Sequence, residues 1–189
     1  MFLNLFYRIE HWWHFLGFIL LGFFFINGFN FSLFFYITLA FFLLIFTYTF
    51  HDRKKIWLFY FILIFILSIF LTLFQQTIVI LILMLSISYN KWFYKNAIGL
   101  FTTGFGFPLL FLLPFNFFNF NGFLFYLFLC LITTTGELLH AADHFEKDRK
   151  EGRFTMAILL NFKVNSKIRK YFKIFSIFLG VIFLIIFIF

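Results

Sequence analysis

Residues 56–90 read IWLFYFILIFILSIFLTLFQQTIVILILMLSISYN, a stretch without a single charged side chain. The hydrocarbon core of a bilayer is about 30 Å thick and takes roughly 20 apolar residues per helix. The stretch is too long for one span and long enough for two, with Gln75 and Gln76 marking a turn between them. Backbone groups in lipid must be hydrogen-bonded within their own segment, which makes both halves helical. No segment alternates polar and apolar with period two, which disfavours a β-barrel.

The same pattern recurs along the whole chain. Its 15 Lys and Arg and 7 Asp and Glu fall into four islands: Arg8–Glu10, Asp52–Lys55, Lys91–Lys95 and Glu137–Lys173. The charge-free stretches between them, 11–51, 56–90 and 96–136, each carry an uncharged polar break: Asn27–Asn30, Gln75–Gln76 and Asn116–Asn121. Three helical hairpins and one final span follow. The expected spans are Trp12–Asn27, Phe31–Phe50, Ile56–Phe74, Thr77–Tyr89 (extending through Ser88–Lys91), Ile98–Phe115, Gly122–Leu139 and Ile174–Phe189. The fold class is therefore all-α: one domain over 1–189, a polytopic membrane helical bundle of about seven transmembrane helices.

This threading puts every Lys and Arg on one side, so the N-terminus and all charged loops face the cytoplasm of an integral (cytoplasmic or inner) membrane protein. The seventh span then ends outside at Phe189 with no polar flank, the mark expected of a shortened chain. A composition 64% hydrophobic with 41 Phe leaves too few polar residues to cover a soluble core. The net charge of +8 borders the spans, where it meets headgroups and phosphates, and is no nucleic-acid footprint. Cys130 stands alone in an apolar run, which rules out a disulfide framework or a Cys metal site. Ahead of the first apolar stretch stand Arg8, Glu10, His11 and His14, with no small-residue cleavage site after it, so that span is read as retained. Trp12 and Trp13 read as an interface anchor.

Chemistry concentrates in the fourth island. His140, His144 and Asp148 are spaced i, i+4, i+8 and share a helix face, and Asp143 and Glu146 form a second neighbouring pair. Carboxylates at a helix end beside Lys and Arg can bind Mg²⁺ through oxygen and hold a phosphate next to it. A solvated loop obeying the positive-inside rule accounts for the same composition. The second island adds a repeat: the triplet Asp-Arg-Lys occurs at Asp52–Lys54 and again at Asp148–Lys150, each at the cytoplasmic end of an even-numbered span. Two carboxylate-plus-basic clusters could then converge over one cavity.

Asp148-Arg149-Lys150-Glu151-Gly152-Arg153-Phe154-Thr155 resembles the second acidic motif of the UbiA-type intramembrane prenyltransferases, with an aspartate four residues before a glycine and a threonine beyond. His51-Asp52 sits where that family keeps its first acidic motif. Tyr89-Asn90-Lys91 and the run from Asn96 through Gly104-Phe105-Gly106-Phe107-Pro108 are similar to its loop before span five and that Gly-rich span. The resemblance implies transfer of an isoprenyl group from a prenyl diphosphate to a lipophilic, aromatic or other acceptor, with Mg²⁺ as cofactor. It implies metal binding by Asp52, Asp143, Glu146 and Asp148, pyrophosphate contacts from Arg53, Lys54, Arg149, Lys150 and Arg153, and a substrate cavity near Tyr48, His51, Asn96, His140 and His144. This chain departs from the pattern in its first motif, where only Asp52 is acidic, and in the second, where His144 stands in an aspartate's place. It also departs in length, with the last hairpin expected to be missing.

Two other classes stay open. One is a catalytically inactive or non-enzymatic membrane homologue, such as a scaffold or transporter fragment. The other is a di-iron membrane oxidase or desaturase, since His11-x-x-His14 and His140-x-x-x-His144 are similar to histidine boxes. Such enzymes use more histidines than the five present, which also read as interfacial residues. Asn96 either faces the cavity or caps the fifth span. Glu137 is the acidic residue nearest an apolar span, and an ionisable group there is a functional candidate.

Overall fold

The computed structural model describes residues 15–26, 31–51, 55–93 and 96–164, with residues 167, 170, 171, 174, 175, 177, 178, 181 and 182. Apolar side chains at nearly every position leave the backbone to satisfy itself, and the described elements are all helical. These are α1 Leu16–Phe25, α2 Ser32–His51, α3 Trp57–Ser68, α4 Leu73–Ser88, α5 Gly99–Gly106, α6 Phe120–Asp143, α7 Phe145–Lys150 and α8 Met156–Leu159. A π-helical turn, Tyr89–Phe93, extends α4, and a 3-10 segment, Phe107–Leu112, extends α5. One isolated bridge joins Asn96 to Phe154.

Three helices are long and apolar enough to cross a membrane: Ser32–Phe50 in α2, Leu73–Phe93 in α4 with its π turn, and α6. Three shorter apolar helices, α1, α3 and Gly99–Leu112, alternate with them. These six occupy the places of the first six expected spans; 174–189, expected as the seventh, lies largely outside the described residues. Phe59, Ile62, Phe65, Ile66 and Phe70 of the α3 region are exposed, a surface suited to lipid rather than water.

The turn expected at Gln75-Gln76 is displaced. Helix α4 begins at Leu73, ahead of Thr77, because Thr72 caps it: the Gln75 amide donates to Thr72 Oγ1 at 3.4 Å and the Thr72 amide donates to Gln75 Oε1 at 3.0 Å. This reciprocal arrangement is a capping box, which satisfies two backbone donors that a helix start leaves bare. Gln75 is only 1% exposed, and its Nε2 donates to Tyr36 Oη at 2.7 Å and to Asn116 Oδ1 at 3.2 Å. Gln76 Nε2 donates to the carbonyls of Ser68 and Leu71, covering the end of α3. The two glutamines therefore close one helix and open the next, and they tie both to α2 and to the Asn116 break.

Small residues set the helix crossings, as expected where lipid removes the hydrophobic drive between helices. A side chain at Gly22 would run into the carbonyl oxygen of Phe111, so α1 lies directly on the 3-10 segment. Phe15 stacks on Phe107 at 3.8 Å along the same seam. Gly104 likewise admits Thr134 and lets α5 cross α6 closely. Phe25, Phe111, Phe115 and Phe125 close the far end, with ring centroids 5.2 to 5.9 Å apart. Gly22→Ala should lower stability by about 1–3 kcal/mol, the usual overpacking cost. Gly17→Ala, where a Cβ meets open space, should be neutral. Thermal unfolding of both variants in detergent checks the contrast.

Candidate functional site

A cavity of about 1110 Å³ opens between α1, α2, α4, α5 and α6. This slightly exceeds the usual ~300–1,000 Å³ of small-molecule pockets. Its deeper walls are apolar, from Leu43, Leu44, Ile82, Leu85, Leu110 and Ile132. Its other end is polar, with Tyr48, Tyr89, Asn90, Glu137, His140 and His144. An apolar chamber closed by a polar rim suits an amphiphile: a hydrocarbon tail inside and a polar head at the helix ends.

Each polar wall residue owes its place to its helix. The π turn at Tyr89–Phe93 adds a residue per turn and shifts the helix face, a distortion common at functional sites. Asn90 then donates from Nδ2 to the Ser86 and Thr47 carbonyls at 2.9 and 3.2 Å, fastening α4 to α2. Thr47 and Ser86 share a side-chain hydrogen bond of 2.9 Å. Thr102 and Thr103 return their hydroxyls to the Gly99 carbonyl, at 2.8 and 3.1 Å. The signal for these hydroxyls in the sequence is their place as polar positions in charge-free helices. On α6 and its C-cap, Thr133, Glu137, His140 and His144 follow at three- or four-residue intervals and line the cavity. The His140 and His144 rings meet edge to face at 4.8 Å.

Beyond His144 the chain turns back on itself. Asp148 is 5% exposed and accepts from Arg153, Nη1 to Oδ1 being 3.3 Å; Arg153 Nη2 also meets Glu151 at 2.7 Å. The Arg153 amide donates to the Asp148 carbonyl at 2.9 Å, and Gly152 holds a φ of +66°, which disfavours a side chain. That reversal lets Ala157 of α8 pack on Ala142 and Phe145. The Asn96–Phe154 bridge joins this loop to the segment before α5. The residue just beyond the third charged island thus meets the fourth.

Among the expected site residues, Tyr48, His140 and His144 line the cavity. Asn96 stands outside its lining, donating from Nδ2 to the Trp92 carbonyl at 3.1 Å, and Ile98 occupies the N-cap of α5. Asp52, Arg53 and Lys54, with the side chain of His51, lie outside the described residues, as do His11 and His14. Asp143 and Glu146 are exposed, as are Arg149 and Lys150. Among the described residues no three His, Cys, Asp or Glu side chains gather as a ready-made metal cage. Mg²⁺ does not require one: it keeps waters and commonly takes one or two carboxylates plus substrate phosphate oxygens. Of the carboxylates at this helix end, Asp148 is held by Arg153 and Glu146 by Lys163.

Lys163 donates to Glu146 at 2.6 Å and covers the Phe145 ring at 4.8 Å. This hydrogen bond and the ammonium charge hold Glu146 below the ordinary carboxylate value. A depressed folded value stabilises above the unfolded pKa of about 4.3 and is lost as pH falls through the folded one. Lys163→Ala should move the Glu146 midpoint up toward the ordinary carboxylate value, read by carboxylate NMR. Gly136 lines the cavity with open space around its Cα. Gly136→Leu should fold and raise stability by about 0.5–1 kcal/mol, the helix cost of an interior glycine, as read by thermal unfolding.

No family model, curated protein or solved structure matches this chain, so the site itself is the ground for reading its function.

Proposed function

We propose that the chain is a UbiA-like intramembrane prenyltransferase, a seven-span bundle with its charged end at the cytoplasmic face. It transfers an isoprenyl group from a prenyl diphosphate to a lipophilic acceptor. The observation that carries this reading is the apolar cavity ending at Glu137, His140 and His144, one turn before the basic Asp148–Thr155 loop. A hydrocarbon tail lies in the chamber and a multiply charged head at the helix end that carries Arg149, Lys150 and Arg153, with Arg53 and Lys54 of the second island as further candidates from the sequence.

Mg²⁺ belongs to this proposal as the counter-ion of the diphosphate, supplying neutralisation of the leaving group, with Asp52, Asp143, Glu146 and Asp148 as the carboxylates to hold it. The protein's own part is positional. Arg153, tied to Asp148 and Glu151, is oriented before substrate arrives, and planar guanidinium groups match phosphate oxygens. The apolar part of the cavity wall is the surface against which the allylic tail would lie. Phe15, Phe18, Tyr48 and Phe107 place aromatic rings along that wall, where a developing cation gains cation–π stabilisation.

The test is Mg²⁺-dependent release of diphosphate from farnesyl or geranylgeranyl diphosphate by membranes containing the protein. Wild type should release it and chelation should stop it. Asp148→Asn should lower the rate at least about tenfold, with folding followed by thermal unfolding because the Asp148 carboxylate is buried against Arg153. No release from wild type across donors and acceptors would sink the reading.

A further inference from the structure

Prenyl transfer to any acceptor X–H leaves a proton to be placed. The allylic C–O bond breaks with its electron pair going to the diphosphate, the acceptor's electron pair forms the C–X bond, and X gives up H⁺. We infer that Glu137 is the group that takes this proton, an inference resting on the prenyl-transfer reading.

The geometry points to Glu137 in three ways. It lies on the cavity stripe of α6, six residues before the helix end at Asp143, or about 9 Å deeper at 1.5 Å per residue. That depth lies between the charged helix end, where the diphosphate head belongs, and the apolar chamber, where the tail belongs. Next, Glu137 makes no hydrogen bond or ion pair with any described residue, whereas Asp148, Glu151 and Glu146 all have cationic partners. An uncompensated carboxylate at the edge of an apolar cavity is costly and serves no packing purpose. Finally, the other titratable groups on the described cavity wall are Tyr48 from α2, Tyr89 from the π turn, and His140 and His144 from α6. The two imidazoles meet each other nearer the helix end, and the phenols are weak bases at neutral pH. Glu137 is the carboxylate that meets an acceptor at the reacting carbon, and His140, one turn on, leads the proton outward to the helix end.

The experiment follows two products in the same membranes: diphosphate released and prenylated acceptor formed, using farnesyl and geranylgeranyl diphosphates with phenolic and alcohol acceptors. Glu137→Gln should cut prenylated product by about 100-fold or more, the usual size of a lost general base, while diphosphate release through capture by water continues. The wild-type transfer rate should fall on the acid side of its pH profile. Glu137→Asp should keep that limb with a reduced kcat and a KM near wild type, and Glu137→Gln should lose the limb. Thermal unfolding of both variants reports their folding. Wild-type transfer rates in Glu137→Gln would overturn the role and leave the prenyl-transfer reading standing. Equal loss of both products in folded Glu137→Gln and Glu137→Asp would overturn it too, by making Glu137 a donor-binding or structural group. A wild type that releases no diphosphate overturns the underlying reading and this role with it.

Discussion

A polar group placed inside an apolar bundle is costly unless it finds a partner there, because lipid offers none. In this chain that constraint shapes the break between α3 and α4. Gln75 shows it most plainly: a fully buried amide that holds the start of α4, the Tyr36 hydroxyl of α2 and the Asn116 side chain at once. Removing its partners would strand a buried amide, a penalty of about 1–3 kcal/mol. Gln76 performs the matching service for the carbonyls that end α3. With these ends satisfied, the helices are free to pack by shape, and Gly22 and Gly104 decide how closely they cross.

The same rule sharpens the meaning of the polar residues on the cavity wall. Thr47, Ser86, Asn90, Thr102 and Thr103 all spend hydrogen bonds on helix carbonyls or on one another. They make a polar surface without exposing unsatisfied groups. Glu137 follows a different pattern, with no partner among the described residues, and so stands apart from the wall it belongs to. The charged loop beyond His144 is organised in yet another way. Asp148 is buried and held by Arg153, and the positive φ of Gly152 folds the loop back on α6. The motif residues therefore first build a rigid turn, and the basic groups displayed around it follow from that turn.

Much of the fold was legible in the residues. Charge-free stretches of roughly twice a span's length require paired helices, and the helices at 16–25, 32–51, 57–68, 73–93, 99–112 and 120–143 fall where those pairs belong. Boundaries were less legible. Two adjacent glutamines read as a turn by composition, but Thr72 one turn earlier supplied a cap that drew them into the helix. Asn96 read as a cavity or capping residue, and its side chain instead bonds back to Trp92 in the segment before α5.

What the sequence by itself determined is what depends on composition and order: an all-helical apolar chain, its charges gathered in islands, and a carboxylate-rich segment with a glycine four residues after Asp148. Those follow from one-dimensional rules of length and hydropathy. Only the tertiary structure decided that α1, α2, α4, α5 and α6 line a common cavity, that Tyr48, His140 and His144 share it, and that Glu137 stands on its wall without a partner among the described residues. The physical reason is that a cavity is a property of helix crossings. Those crossings are set by contacts such as Gly22 on Phe111 and Gly104 on Thr134, between residues far apart in the chain.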